Sequence, residues 1–121
     1  MSNKNAQNEI ESAMQSFELL QCWECIQLYS SEGLLMASCG QSPFYTQDHL
    51  LEFSFSLIET VRLLEDAPIK EIVVRSAHHR RLVFRYFNAD QDILILAAVL
   101  HTRKGYKRAM TKLIKAILNT I

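Results

Sequence analysis

Eight consecutive apolar residues, Ile93-Leu94-Ile95-Leu96-Ala97-Ala98-Val99-Leu100, place the tightest constraint on how this chain can fold. The run is too short for a membrane helix, which needs about 20 residues, and its length fits a buried strand. A strand that is apolar on both faces cannot sit on a water-facing sheet, so it must be central, with helices packed on both sides. The chain has 121 residues, enough for one domain with a real core, and such a domain buries roughly two-thirds of its unfolded surface. Its composition, 49% hydrophobic with three Gly and two Pro, excludes disorder, collagen-like repeats and flexible linkers.

The remaining elements follow from periodicity. Ile10, Ala13, Met14, Phe17 and Leu20 recur at helical spacing and predict an amphipathic helix over about 6–20. Trp23 to Tyr29 and Leu34 to Cys39 are β-prone runs around Ser30-Ser31-Glu32-Gly33, a hairpin turn ending in glycine. Gly40-Gln41-Ser42-Pro43 stops the second strand. A second helix is predicted over about 48–66, capped by Thr46 or Asp48, with Pro68 just beyond it. Strands over Ile69–Ser76, Arg81–Phe87 and Ile93–Leu100 follow, with turns at Ala77-His78-His79-Arg80 and Asn88-Ala89-Asp90-Gln91. The first of these has no uniformly apolar face, which suits a sheet edge. A last helix over about 104–120 carries Tyr106, Ala109, Met110, Leu113, Ile114, Ile117 and Leu118 on one stripe. The order α-β-β-α-β-β-β-α, with hairpins between most strands, predicts an α+β sandwich with a largely antiparallel five-stranded sheet and helices on both faces.

The second helix has more apolar surface than one sheet face can cover. Leu50, Ser54, Leu57, Val61 and Leu64 form one stripe, and Leu51, Phe55 and Ile58 form another about 100° away. The spare stripe calls either for deep burial or for a second chain, while Glu52, Glu59 and Arg62 require at least one side in water.

Net charge is zero but polarised along the chain. Residues 1–74 carry 11 acidic and 3 basic side chains, and residues 75–121 carry 10 basic and 2 acidic ones. Such asymmetry marks an acidic partner, a lipid surface, self-association, or two halves that face each other in one monomer. Arg103, Lys104, Lys107 and Arg108 sit in the first turns predicted for the last helix, where the helix dipole disfavours cations. They are candidates for phosphate, an acidic protein or anionic lipid, against a plain solvated face. A pI near 6.9 and the lack of an aromatic–basic platform argue against nucleic acid.

Chemistry is scarce. Cys22-Trp23-Glu24-Cys25 is formally a C-x-x-C, and Cys39 with His49 would complete a zinc set. No second paired motif or knuckle turn supports one, so the cysteines read as small buried hydrophobes. His78-His79-Arg80-Arg81 reads as a solvated hairpin tip. No nucleophile–base–acid set appears, so neither an enzyme nor a bound cofactor or metal is expected. An odd cysteine count and a polar N-terminus without an apolar signal core suit a reducing, cytoplasmic location.

The segment Ile26-Gln27-Leu28-Tyr29-Ser30-Ser31-Glu32-Gly33-Leu34-Leu35-Met36-Ala37-Ser38 resembles the strand–turn–strand signature of the roadblock family, and Ile69 to Arg75 looks like that family's third strand. Residues from about 9 to 119 fit the family order; Thr102-Arg103-Lys104-Gly105 departs from it by being basic. The resemblance implies a roadblock/longin-like (profilin-like) fold with the middle helix on one sheet face and the terminal helices on the other. It also implies a homodimer, or a pair with a paralogue, through the middle helix and third strand. Here that surface is Leu51, Phe55, Ile58, Arg62, Ile72 and Val74. The family includes dynein light chains and regulators or scaffolds of small Ras-like GTPases. Its bacterial gliding-motility member activates its GTPase as a dimer without donating a catalytic arginine. The leading expectation is therefore a non-enzymatic dimer that modulates a small Ras-like GTPase. A structural adaptor, or a metal or redox sensor using Cys22, Cys25, Cys39 and His49, stands as the alternative.

Overall fold

A computed structural model describes residues 3–18, 23–63, 70–101 and 105–121. The elements are α1 (Asn3–Glu18), β1 (Trp23–Ser30), β2 (Leu35–Gly40), α2 (Gln47–Leu63), β3 (Glu71–Arg75), β4 (Arg81–Ala89), β5 (Asp92–Leu100) and α3 (Lys107–Thr120). The strands form one antiparallel sheet in the order β2-β1-β5-β4-β3. This is the α+β arrangement of the roadblock/longin fold.

The apolar run occupies the middle of the sheet, and its alternation explains its composition. Leu94, Leu96, Ala98 and Leu100 enter a core with Ile10 and Met14 of α1 and Met110, Leu113 and Ile117 of α3. Ile95, Ala97 and Val99 point the other way, into a core with Leu50 and Ile58 of α2. Two separate cores thus share one strand, and each large side chain sealed in them contributes about 1.5–3 kcal/mol.

Local chemistry sets the element ends. Gly33 turns β1 into β2 at φ 91°, and the Ser30 hydroxyl accepts backbone N–H bonds from Glu32 (3.3 Å) and Leu34 (3.1 Å). Thr46 caps α2: its Oγ1 accepts from the His49 N–H at 3.2 Å, and His49 Nδ1 accepts from the Thr46 N–H at 3.4 Å. Ser54 lies buried on the apolar stripe because its hydroxyl donates to the Leu50 carbonyl at 2.8 Å. His79 and Asp90 take positive φ in the two later turns, a conformation that aspartate tolerates well.

Two elements are shorter than predicted. β3 spans only Glu71–Arg75, because the Ser76 N–H already bonds the Arg80 carbonyl in the turn. α3 starts at Lys107 rather than 104, since Gly105 resists helix formation and Tyr106 keeps non-helical angles. The predicted ends of the first two helices (Leu20, and Leu64 to Asp66 with Pro68) and Ile69 lie outside the described residues. None of the described helices is long and apolar enough to cross a membrane.

Candidate functional site

β3 is an outer strand of the sheet, and its hydrogen bonds show which groups face outward. The Tyr86 N–H donates to the Lys70 carbonyl (2.9 Å), and the Ser76 N–H donates to the Arg80 carbonyl (2.8 Å). Antiparallel bonding alternates along a strand, so Ile72 and Val74 bond β4 as well. The N–H and C=O groups of Glu71, Val73 and Arg75 therefore point away from β4, and among the described residues no strand pairs with them. Side chains alternate too. Ile72 and Val74 are half-buried on the α2 face, whereas Val73 lies on the α3 face and is 42% exposed.

α2 supplies the wall beside this edge. Phe53 leans toward β4, with its ring 6.4 Å from that of Phe84, and remains 41% exposed. Leu57, one turn on, is half-buried on the same flank. Phe53, Leu57, Ile72 and Val74 thus line an apolar step that ends at the open edge of β3.

The six residues expected to form an interface do not gather on one surface. Ile72 and Val74 are half-buried on the α2 face of β3. Ile58 is a correction: at 6% exposure it belongs to the core under α2 and offers a partner almost no surface. Phe55 is exposed, but its ring rests over Gly33 in the β1–β2 turn, on the flank of α2 away from β3. Leu51 is half-buried and packs against the core. The side chain of Arg62 is outside the described residues. Residues 53 and 55 are about 200° apart around a helix, so they cannot share a flank. The core stripe actually runs Leu50–Ser54–Ile58, and this rotates the free surface onto Phe53. The i, i+4 pair Phe53–Leu57 was the sequence signal for it.

A basic region lies on the opposite face of the sheet. Lys107 and Arg108 are exposed in the first turn of α3, and Arg103 and Lys104 lie outside the described residues. The Arg81 guanidinium stacks 5.3 Å from the centre of the buried Tyr106 ring. Arg81, Gly105, Tyr106, Lys107 and Arg108 line an open cleft of about 520 Å³. Burial, reinforced by Glu71, pushes the Tyr106 phenol above its ordinary pKa. Arg85 ties the cleft wall together: it bonds Glu71 at 2.9 Å, the Thr111 hydroxyl at 2.8 Å and the Lys107 carbonyl at 3.3 Å.

The histidine-containing hairpin is not simply solvated, which corrects the sequence reading. His78 stacks on Phe44, with centroids 4.1 Å apart and planes 11° from parallel. Arg80 lies 4.8 Å from the same ring and donates to Glu24 at 2.8 and 3.1 Å, while Ser42 Oγ donates to Glu24 at 2.9 Å. This knot fastens the β3–β4 turn to the loop before α2. Burial raises the Glu24 pKa, but the bonds from Arg80 and Ser42 outweigh it, so the carboxyl titrates below its ordinary range.

The thiols do not converge. Cys25 is buried on the α2 face, and desolvation pushes its pKa up to about 11, which keeps it a thiol. Cys39 packs against the core on the other face. His49 serves as a cap, and Cys22 lies outside the described residues. Among the described residues no group of three ligating side chains is placed to hold a metal ion.

No family model matches the sequence, and no curated protein matches it. Solved structures do. A gliding protein, MglB from Thermus thermophilus, aligns with a TM-score of 0.74 at 14% identity over 95% of this chain and 90% of its own. MglB from Myxococcus xanthus aligns with a TM-score of 0.68 at 13% identity, covering 93% and 84%. A Roadblock/LC7 domain from Streptomyces avermitilis gives 0.66 at 16% identity, covering 90% and 92%. At these identities the likeness establishes the fold.

Proposed function

From the roadblock fold as premise, we propose that this chain acts as a two-fold homodimer that binds a small Ras-like GTPase and modulates its nucleotide cycle. The observation that carries the reading is the apolar step of Phe53, Leu57, Ile72 and Val74 running out to the open edge of β3. Two such edges pair antiparallel, and charge selects the register. A two-fold centred on Val73 sets Glu71 opposite the partner's Arg75, whereas centring on Glu71 or Arg75 would oppose like charges. All three are outward-bonding positions, so the Val73 register also aligns the backbone groups. Pairing there brings the two α2 helices side by side across the joined sheet and covers Phe53. The paired helices present a continuous surface to a GTPase.

The gliding proteins that share the fold and the roadblock-like hairpin around Gly33 both support this assignment. The protein contributes no catalytic group of its own. It acts by holding the GTPase in one conformation, which shifts the rate of hydrolysis or exchange through differential affinity for two states.

The test is to purify the Ras-like GTPases of the source organism and measure GTP hydrolysis and nucleotide release with and without this protein. A change in either rate for one of them, with a complex visible by light scattering, is the expected result. No complex with any of them overturns the proposal in favour of an adaptor outside GTPase control.

A further inference from the structure

The flank of α2 turned away from β3 carries a second apolar surface that the proposed dimer leaves uncovered. Leu34, 64% exposed, and the exposed Leu35 follow the turn between β1 and β2. Tyr29 pairs with Leu35 on one side and Ile95 on the other, and Ser30 pairs with Leu94. The exposed Ile93 therefore stands beside that turn, on the same sheet face as Ile95. Phe55 closes the patch from above, over Gly33.

Its rim is acidic. Glu32 lies in the turn, Asp90 and Asp92 flank the β4–β5 turn, and Glu52 sits one helical turn before Phe55; all four are exposed. Among the described side chains, no lysine or arginine occupies these three segments. A partner for this patch needs apolar side chains flanked by cations.

The chain itself carries such an element. α3 exposes Lys112 and Lys115, and beyond them Leu118 and Ile121. No acid occurs from residue 93 to residue 121. α3 packs on the α1 side of the sheet and the acidic patch lies on the α2 side, so the two cannot meet within one chain. We propose that the C-terminal half of α3 of one copy docks on the Leu34–Leu35–Phe55–Ile93 patch of another. The contact is head-to-tail and joins dimers into larger assemblies. It uses none of the residues assigned to the two-fold edge, so it stands or falls separately from the proposed function.

Charge exchange tests it. One variant reverses the rim (Glu32→Lys, Glu52→Lys, Asp92→Lys), and another reverses the helix (Lys112→Glu, Lys115→Glu). Circular dichroism checks that each keeps the fold. Sedimentation at low salt is expected to show wild-type species larger than a dimer that dissociate as salt screens the contact. Each variant alone is expected to associate roughly tenfold more weakly or worse, because like charges now meet. An equimolar mixture restores assembly, since the unchanged tail of one variant meets the unchanged rim of the other. Wild-type protein that remains a dimer overturns the proposal and leaves the patch to a basic helix of another protein. Variants that assemble as wild type does, or a mixture that fails to recover, overturn it equally.

Discussion

Gly40 and Gly33 both hold positive φ, yet a methyl group would meet different neighbours at each. At Gly40 it would press on the Glu24 main-chain carbonyl, which cannot yield; at Gly33 it would meet the outer atoms of the Phe55 ring, which can swing away. Gly33→Ala should therefore cost little more than the left-handed backbone penalty of about 1–2 kcal/mol, and Gly40→Ala clearly more. Urea denaturation of the two variants gives the order. Glu24 supplies a pH signature. Its folded pKa lies below the unfolded value, so the stability it adds is complete above that value and drains away as pH falls through the lower folded one. Urea midpoints followed from neutral into acid should fall less steeply for Glu24→Gln than for wild type. The Glu24 role was not readable beforehand. The Arg80 bond to Glu24 joins residues 56 apart, and nothing in a linear pattern pairs them.

The elements were far more legible than their rotations. All eight appear in the predicted order because each carries a period of its own, 2 or 3.6, punctuated by Gly33, Gly40 and the polar turns. Thr46 was one of two cap candidates, with Asp48, and the structure selects it, so Thr46→Ala should destabilise α2 by about 0.5–2 kcal/mol. Hydrogen exchange in the first turn of that helix would register the loss before the core does. The sequence could not say which way α2 is rolled on the sheet. Its apolar residues span more than half the helix circumference, so several rotations bury similar area. The choice falls to contacts made elsewhere, such as Leu50 and Ile58 against Ile95, Ala97 and Val99. That is why Phe55 was expected on the β3 flank of α2, whereas its ring lies over Gly33 and Phe53 leans toward β4.

For the whole molecule, the edge assignment predicts two substitutions with separate consequences. Val73→Pro removes an N–H that points away from β4, so the monomer's own ladder is untouched while edge pairing loses a donor. Phe53→Asp places charge on the surface that pairing would bury. Both should give folded monomers by light scattering, and dimers that survive both substitutions would move the two-fold elsewhere. The layered architecture was legible at this scale too, because the 93–100 run demanded cover on both sides, and the polarised charge is partly met within one face, where α1 with Glu9 and Glu11 shares a core with the lysine-bearing α3. The same central strand has a consequence for synthesis. β5 is the last strand in the chain, yet it sits between β1 and β4 and belongs to both cores. While the ribosome is still delivering residues before 92, the nascent β1–β2 hairpin has no second neighbour and must wait, half-wrapped, for the strand that completes it.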